Sequence, residues 1–257
     1  MNYNYHTHTY RCHHAEGEDE DYILRAIDGG IKYMGFSDHA PFIFHDGCEQ
    51  NYRIDMSAAE DYFKSLNSLR ERYSDKIDIK IGFEMEYYPS YFEEMLKTAR
   101  NLGAEYLILG QHQIGDGYPE CIPSTKICES QTDLLVYVDC VCRAIESGVF
   151  TYVAHPDIIN FVGDDKIYRD EMMRICEASL KRSIPLEINF LGIRKGRRYP
   201  NPKFWELAGE AQCPVTFGCD AHEPEAAYDG ESLSVAKWLV KRYKLNYIGM
   251  PNIIRLN

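Results

Sequence analysis

The sequence predicts an α/β fold, a distorted (β/α)7 barrel of the TIM-like type, on three observations. Short runs rich in Ile, Val, Tyr and Phe, of the kind buried on both faces of a parallel sheet, alternate with stretches of helical period. Seven such strand–helix units fill the 257 residues, and strict alternation in that number implies a parallel sheet closed on itself. Nearly every strand-like run ends in a His, Glu or Asp, and in barrels of this kind the chemistry sits on the loops at the carboxyl ends of the strands.

Taken in order, the first strand is Tyr3–His6, and Tyr22, Ile23, Ala26 and Ile27 form a helical stripe stopped by Gly29-Gly30. Tyr33–Ser37 is the second strand. The next helix carries Tyr62, Phe63, Leu66, Leu69 and Tyr73, with Ser57 and Glu60 as its expected capping box. Strand Ile77–Met85 follows. Ser90 and Glu93 repeat the capping signature ahead of Phe92, Met95, Leu96 and Ala99, and Gly103 ends that helix. The fourth unit pairs strand Tyr106–Gly110 with the stripe Leu134, Leu135, Val138, Val141 and Ile145. The fifth pairs Tyr152–His155 with Met172, Ile175, Cys176 and Leu180. The sixth pairs Pro185–Asn189 with Phe204, Leu207, Ala208 and Ala211, and the seventh pairs Val215–Cys219 with Leu233, Ala236, Leu239 and Val240. No linker or low-complexity tract divides the chain, so one domain over 1–257 is expected.

Composition narrows the function. At 45% hydrophobic residues the chain has enough apolar matter for a sizeable core. Its net charge of −12 argues against a nucleic-acid partner, because a phosphate backbone demands a basic face. A small phosphorylated substrate stays compatible, since bound divalent metals reverse the local potential. No apolar run approaches a membrane span, and the opening Met1–His6 lacks the basic flank and apolar core of a secretion signal. The nine cysteines form no paired CxxC motif, which favours reduced thiols; a cytoplasmic protein is expected. Cys12 and Cys219, beside candidate ligands, read as packing or ligand-supporting groups. The twenty tyrosines mark no oligomer interface.

The candidate site is assembled from spacing. His6 and His8, two apart on a strand, point to one face and make a metal clamp. Asp220-Ala221-His222 repeats that spacing at the end of the last strand. His14, His39, Glu84, His112 and His155 fall at strand ends or in the loops that follow, with Glu86 on the same strand face as Glu84. His45 lies outside the pattern and reads as a loop histidine. Asp38 and Asp157 each have two readings, orienting a ligand histidine through its second ring nitrogen or capping the next loop.

These residues resemble a known family. His6-Thr7-His8, Cys12-His13-His14, Ser37-Asp38-His39, Gly82-Phe83-Glu84, Gly110-Gln111-His112, Ala154-His155-Pro156-Asp157 and Gly218-Cys219-Asp220-Ala221-His222 look like the PHP (polymerase and histidinol phosphatase) superfamily. The resemblance runs almost the full chain. His6 to Gly17, Ser37–Pro41 and Glu187-Ile188-Asn189 through Arg194-Lys195-Gly196 look most like its histidinol-phosphatase branch. It implies a distorted seven-stranded βα barrel holding three divalent metal ions, with Zn, Fe and Mn all suited to mixed His and carboxylate ligands. Carried over, the first metal takes His6, His8, Glu84 and Asp220. The second takes Glu84 as a bridge with His112 and His155, and the third takes His14, His39 and His222. The family spacing favours His14 over its neighbour His13, and Glu86 reads as a supporting or pocket-lining group.

The resemblance implies metal-dependent hydrolysis of a phosphate monoester. The leading substrate is L-histidinol phosphate, cleaved to L-histidinol and phosphate in histidine biosynthesis. The alternative is a PHP phosphoesterase acting on nucleotides, sugar phosphates or oligonucleotide ends. Glu84 and Asp220 carry the catalytic metals; two ions about 3.5–4 Å apart activate water and bind phosphoryl oxygens. The one conspicuous basic run is Arg194, Lys195, Arg197 and Arg198, after the sixth strand. Arg194 is the expected phosphate clamp and catalytic charge, Lys195 the second candidate, and Arg11 a weaker one, while Arg197 and Arg198 read as surface. Asn189, on one strand face with Glu187, is an expected substrate contact, and Glu187 an interior group. The histidinol-phosphatase pattern commonly has a basic residue shortly after His-Pro-Asp; here that stretch is Ile158-Ile159-Asn160-Phe161, without charge.

Overall fold

The computed structural model describes residues 1–256. Eight parallel strands run in sequence order, each bonded to the next: β1 (Tyr3–Asn4), β2 (Tyr33–His39), β3 (Asp78–Met85), β4 (Leu107–Leu109), β5 (Phe150–Val153), β6 (Leu186–Asn189), β7 (Pro214–Gly218) and β8 (Asn246–Tyr247). The helices are α1 (Asp19–Asp28), α2 (Ala59–Arg72), α3 (Phe92–Leu102), α4 (Gln131–Ser147), α5 (Asp165–Arg182), α6 (Phe190–Arg194), α7 (Pro202–Ala211) and α8 (Gly230–Tyr243). Seven strand–helix units are thus present in the expected order.

The sheet curls until its first and seventh strands meet at their carboxyl ends. Thr7 bridges Ala221 in parallel, with His8 N–H donating to the Ala221 carbonyl at 2.9 Å and Ala221 N–H to that of His6 at 3.2 Å. At the opposite end the gap is filled by β8, two residues long, which the sequence analysis did not anticipate because so short a strand carries no alternation to read. Tyr3 Oη ties it in, 3.1 Å from Tyr247 Oη and 3.0 Å from Thr216 Oγ1.

Strand alternation sorts the core into two layers. Outward residues such as Met34, Phe36, Ile81, Phe83 and Leu109 pack under the helices in the main hydrophobic core. Inward residues Tyr3, Tyr5, Tyr106, Ile108, Tyr152 and Ala154 form a separate cluster filling the barrel interior. This tyrosine floor lies directly below the histidines, because Tyr5 precedes His6 and Tyr152 lies three residues before His155.

Two expected helix starts are corrected. The α2 cap position is Ala58, entered through a 3-10 turn over Met56–Ala58, with no side-chain cap from Ser57. Ser90 caps nothing, since its N–H and hydroxyl both bond to the Asp116 carboxylate, at 2.8 and 2.7 Å. The fifth strand sits two residues earlier than expected, leaving Ala154 and His155 in the turn after it. Leu180, expected in the α5 stripe, is exposed. Gly103 ends α3 in the left-handed region as expected, at φ 90°. No described helix is long and apolar enough to cross a membrane, and all nine cysteines are free thiols.

Candidate metal centre

The carboxyl mouth of the barrel gathers side chains from every part of the chain. His6 and His8 stand on the segment after β1, His39 ends β2, Glu84 lies near the end of β3, and His112 follows β4. His155 follows β5, and Asp220 and His222 follow β7. His14 comes from the first loop. The strand-end members are buried: His6 and His8 at 0%, Glu84 at 1%, His155 at 2% and Asp220 at 3% exposure.

Glu84 is the hub. Its Oε2 lies 3.5 Å from His6 Nε2, 3.4 Å from His8 Nε2 and 3.3 Å from His39 Nδ1. Its Oε1 lies 2.9 Å from His155 Nε2 and 3.4 Å from His112 Nε2. Room for this side chain is made by Gly110, where an added Cβ would stand 1.9 Å from Glu84 Oε1. Asp220 Oδ1 faces the same two imidazoles, 3.5 Å from His6 Nε2 and 3.4 Å from His8 Nε2.

The unusual feature is what these atoms do not do. His6 Nε2, His8 Nε2, His39 Nδ1 and Asp220 Oδ1 are buried without a hydrogen-bond partner among the described residues. Such orphans cost free energy unless something else satisfies them. Ligand atoms around a four-coordinate cation at about 2.0–2.2 Å stand roughly 3.3–3.6 Å apart, the range of the His6, His8, Glu84 and Asp220 separations just given. The donor set therefore fits a cation. A second set, His39, Glu84 and His112, and a third, His14, His39 and His222, also bring ligand atoms within 4.8 Å of one another.

The electrostatics divide the mouth in two. Burial opposes a proton on His6, yet the carboxylates of Glu187, Asp220 and Glu84 outweigh it and push the imidazole up to about 10. His8 is raised likewise, against burial, by Asp220 and Asp38. Burial would raise Glu84, but His112, His6 and His155 hold it well below the usual carboxylate range. On the outer side burial lowers His39, His14 and His222, and the charge on His8 lowers them further, His222 to about 4. The inner pair, beside two carboxylates, thus favours positive charge, while burial and that charge disfavour it on the three outer imidazoles.

The backbone around the centre is strained. His155 and Asp220 have φ of 30° and 48°, in the left-handed region, which costs a bulky residue about 1–3 kcal/mol. Both are held by side chains. Glu187 Oε2 accepts from His155 N–H at 3.1 Å, and Arg194 Nη2 donates to the Asp220 carbonyl at 3.0 Å.

His13 turns away to Asp55, 3.3 Å distant, while His14 Nε2 lies 3.1 Å from His222 Nε2. His45 is in an exposed loop facing Glu94. Asp38 serves both of its readings, reaching His8 Nδ1 at 3.3 Å and accepting from the N–H of Thr9 and His39 at 3.0 and 2.8 Å. Asp157 serves only the second, accepting from Asn201 N–H and from Trp205 Nε1 at 3.0 Å. Glu86 accepts from Arg53 and lies 2.9 Å from His112 Nδ1, so it orients that ring. Glu187, the expected interior group, lies 2.8 Å from His6 Nδ1. Cys12 and Cys219 are fully buried, the Cys12 thiol 3.9 Å from His14 Nε2.

Two expectations about substrate contacts, Asn189 and Arg11, are corrected. Asn189 is buried and spent: its Nδ2 donates to Glu187 and Asp220, and its Oδ1 accepts from Gly192 N–H at the start of α6. Arg11 is locked by Asp19 and Asp61 and points away from the cavity. Arg194 lines the cavity as expected; its Nη atoms donate to the Cys219 and Asp220 carbonyls and to Asp229, bracing the turn that aims Asp220, while its Nε is buried without a partner among the described residues.

Above the centre opens a cavity of about 390 Å³. Besides the centre itself, its walls include Tyr52, Ile158, Leu191, Lys195, Arg197 and Tyr199. Sequence reasoning missed the two tyrosines and set Arg197 aside as surface. Loop residues with no fixed period left no signal to find them by.

Comparison with known proteins agrees with this geometry. The PHP domain model matches residues 4–190. A probable histidinol-phosphatase of Deinococcus radiodurans is 25% identical over 228 residues, covering 85% of this chain and 85% of that protein. The histidinol-phosphatase of Lactococcus lactis is 25% identical over 262 residues, covering 93% and 90%. A crystal structure of the histidinol phosphate phosphatase from Lactococcus lactis, complexed with zinc, L-histidinol and phosphate, superposes with a TM-score of 0.70 at 20% identity, over 96% of this chain and 95% of that one.

Proposed function

We propose that this chain, which belongs to the PHP domain family, is a metal-dependent phosphatase whose substrate is L-histidinol phosphate, released as L-histidinol and inorganic phosphate. What carries the reading is the set of buried, unpartnered ligand atoms spaced about Glu84 and Asp220 beneath an open cavity. The names of its relatives support the substrate.

Under this reading His6, His8, Glu84 and Asp220 hold one divalent ion, and Glu84, His112 and His155 a second, while His14, His39 and His222 hold a third. Zn, Fe and Mn all suit these donors. Such ions, when bound, supply Lewis acidity that activates water and offsets charge on phosphoryl oxygens. The chain's own residues do the rest. Glu187, Asp38 and Glu86 bond the far nitrogens of His6, His8 and His112, fixing tautomer and ring direction. Arg194 and Glu187 hold the two strained turns that aim Asp220 and His155. Tyr199 and Leu191, with Ile158, give the cavity apolar walls that limit water around the ester. We read 1–257 as one domain, since Leu256 N–H bonds the Glu105 carbonyl across the sheet, and place it in the cytoplasm, which suits nine free thiols.

One observation favours a second reading, a PHP phosphoesterase acting on other small phosphate esters: the loop after β5 presents Ile158 to the cavity rather than a cation. The test is phosphate release by metal-reloaded protein from histidinol phosphate beside a panel of nucleotides and sugar phosphates. Histidinol phosphate is expected to exceed the panel by at least tenfold in kcat/KM. Equal rates replace the first reading with the second, and no release from any ester by metal-replete protein overturns both.

A further inference from the structure

Three carboxylates stand behind ligand histidines, and they are anchored differently. Glu187, behind His6, accepts from the His155 N–H and from Asn189 Nδ2. Asp38, behind His8, accepts from the N–H groups of Thr9 and His39 and from the Thr9 hydroxyl. Glu86, behind His112, is the one of the three that meets an arginine among the described residues: Arg53 Nη2 donates to its Oε2 at 2.6 Å. Both partners are buried, Arg53 at 1% and Glu86 at 0% exposure.

Arg53 comes from the loop after β2. A buried guanidinium is tolerated only where its N–H groups find acceptors. Its Nε donates to Gln50 Oε1 at 2.8 Å and its Nη1 to the Ala40 carbonyl at 3.0 Å. Besides Glu86, its Nη2 donates to the hydroxyls of Tyr52 and Tyr88, each at 3.2 Å. Gln50 in turn donates from Nε2 to the Gly117 carbonyl at 2.9 Å, which joins the loop after β4 to this knot.

The bonds of Arg53 lead to two ligands. Ala40 directly follows His39, and Ile54, directly after Arg53, donates its N–H to the His39 carbonyl at 3.2 Å. Tyr52 stands edge-on to the His39 ring, with centroids 5.6 Å apart. On the other side Glu86 Oε1 lies 2.9 Å from His112 Nδ1. His39 and His112 share one candidate donor set with Glu84, their ring centroids 5.0 Å apart.

We propose that Arg53 is a positioning residue of the metal centre. It fixes His112 through Glu86 and His39 through Ala40, and so sets the hold on ions at those two histidines while leaving the ion at His6 and His8 alone. The inference rests on the metal-dependent reading above. The planar fork of a guanidinium ties several acceptors into one rigid geometry, which a lysine ammonium does not reproduce.

The experiment uses the full chain loaded with Mn or Zn, as wild type, Arg53→Lys, Arg53→Met, and the double variant Arg53→Met with Glu86→Gln. It measures ions held per chain during chelator competition, the position of retained ions by anomalous diffraction, melting temperature, and kcat and KM on histidinol phosphate across metal concentrations. Arg53→Met should hold the ions at His112 and His39 about 10- to 100-fold more weakly and keep the ion at His6 and His8. At saturating metal its kcat should return, with KM within about twofold of wild type. Arg53→Lys keeps a charge for Glu86 and so keeps the fold; its loss should fall between. The double variant leaves no charge buried alone, so its melting temperature should recover from that of Arg53→Met while the weakened hold on metal remains. Metal binding that recovers together with melting temperature, an equal loss of every ion, or wild-type chelator competition in both Arg53→Met and Arg53→Lys overturns the proposal. Should Arg53→Met not fold, Arg53→Lys decides by itself. A wild type that takes up no ion defeats the metal-dependent reading and this inference with it, whereas bound ions with unaltered variants defeat this inference alone.

Discussion

The two walls of the catalytic cavity are built on opposite principles. The inner wall hangs on strand ends and the turns just beyond them, where parallel register fixes each position; His39 pairs with Glu84 across β2 and β3, and Asn189 with Gly218 across β6 and β7. The outer wall hangs on loops and on the short α6: Tyr52 from the loop after β2, Ile158 from the loop after β5, Leu191 from α6, and Lys195, Arg197 and Tyr199 from the α6–α7 loop. Groups that must meet to within a few tenths of an ångström sit on the rigid sheet. Groups that line the cavity further out sit on loops, which vary without disturbing the sheet.

The difference makes graded predictions. Removing a strand-end ligand should do the most: Asp220→Ala leaves His6 and His8 facing a single carboxylate, and should cut turnover by about a thousandfold or more as bound metal falls, read by elemental analysis and kcat on one sample. A fully active, metal-replete Asp220→Ala enzyme would break the contrast between the walls. One step back from the ligands, Glu187→Gln keeps the shape but removes the charge beside His6 Nδ1. Metal affinity should fall about 10- to 100-fold with phosphate binding at saturating metal unchanged, read by chelator competition. Both exceed in metal loss anything expected from the outer wall, where Arg197→Ala should leave metal in place.

The same division governs how much could be read from the chain alone. The inner wall was legible because its residues obey two simple periods: one ligand-type residue per strand end, and two-residue spacing in His6-Thr7-His8 and Asp220-Ala221-His222. Glycines carried a quieter signal. Gly110 and Gly218 are each followed two residues later by a site residue, and their missing Cβ atoms make room for Glu84 and Glu187. The outer wall was not legible. Which of Arg197 and Arg198 lines the cavity depends on how the chain turns after α6, where Gly196 has φ 58° and Arg197 N–H returns to the Gly192 carbonyl. Arg194 was legible as a cation of the cavity because its charge and place were visible, while its carbonyl partners 25 and 26 residues onward were not. The misread helix starts share that cause: Ser90 found Asp116, a partner from another loop, in place of its own helix.

The account turns on whether the orphaned atoms of the inner wall hold cations, and anomalous diffraction from crystals of the metal-loaded protein tests that most directly. It predicts anomalous peaks among His6, His8, Glu84 and Asp220, and between Glu84 and the rings of His112 and His155. A metal-saturated crystal with no peak there, and His6 and His8 bonded directly to the two carboxylates, would contradict it.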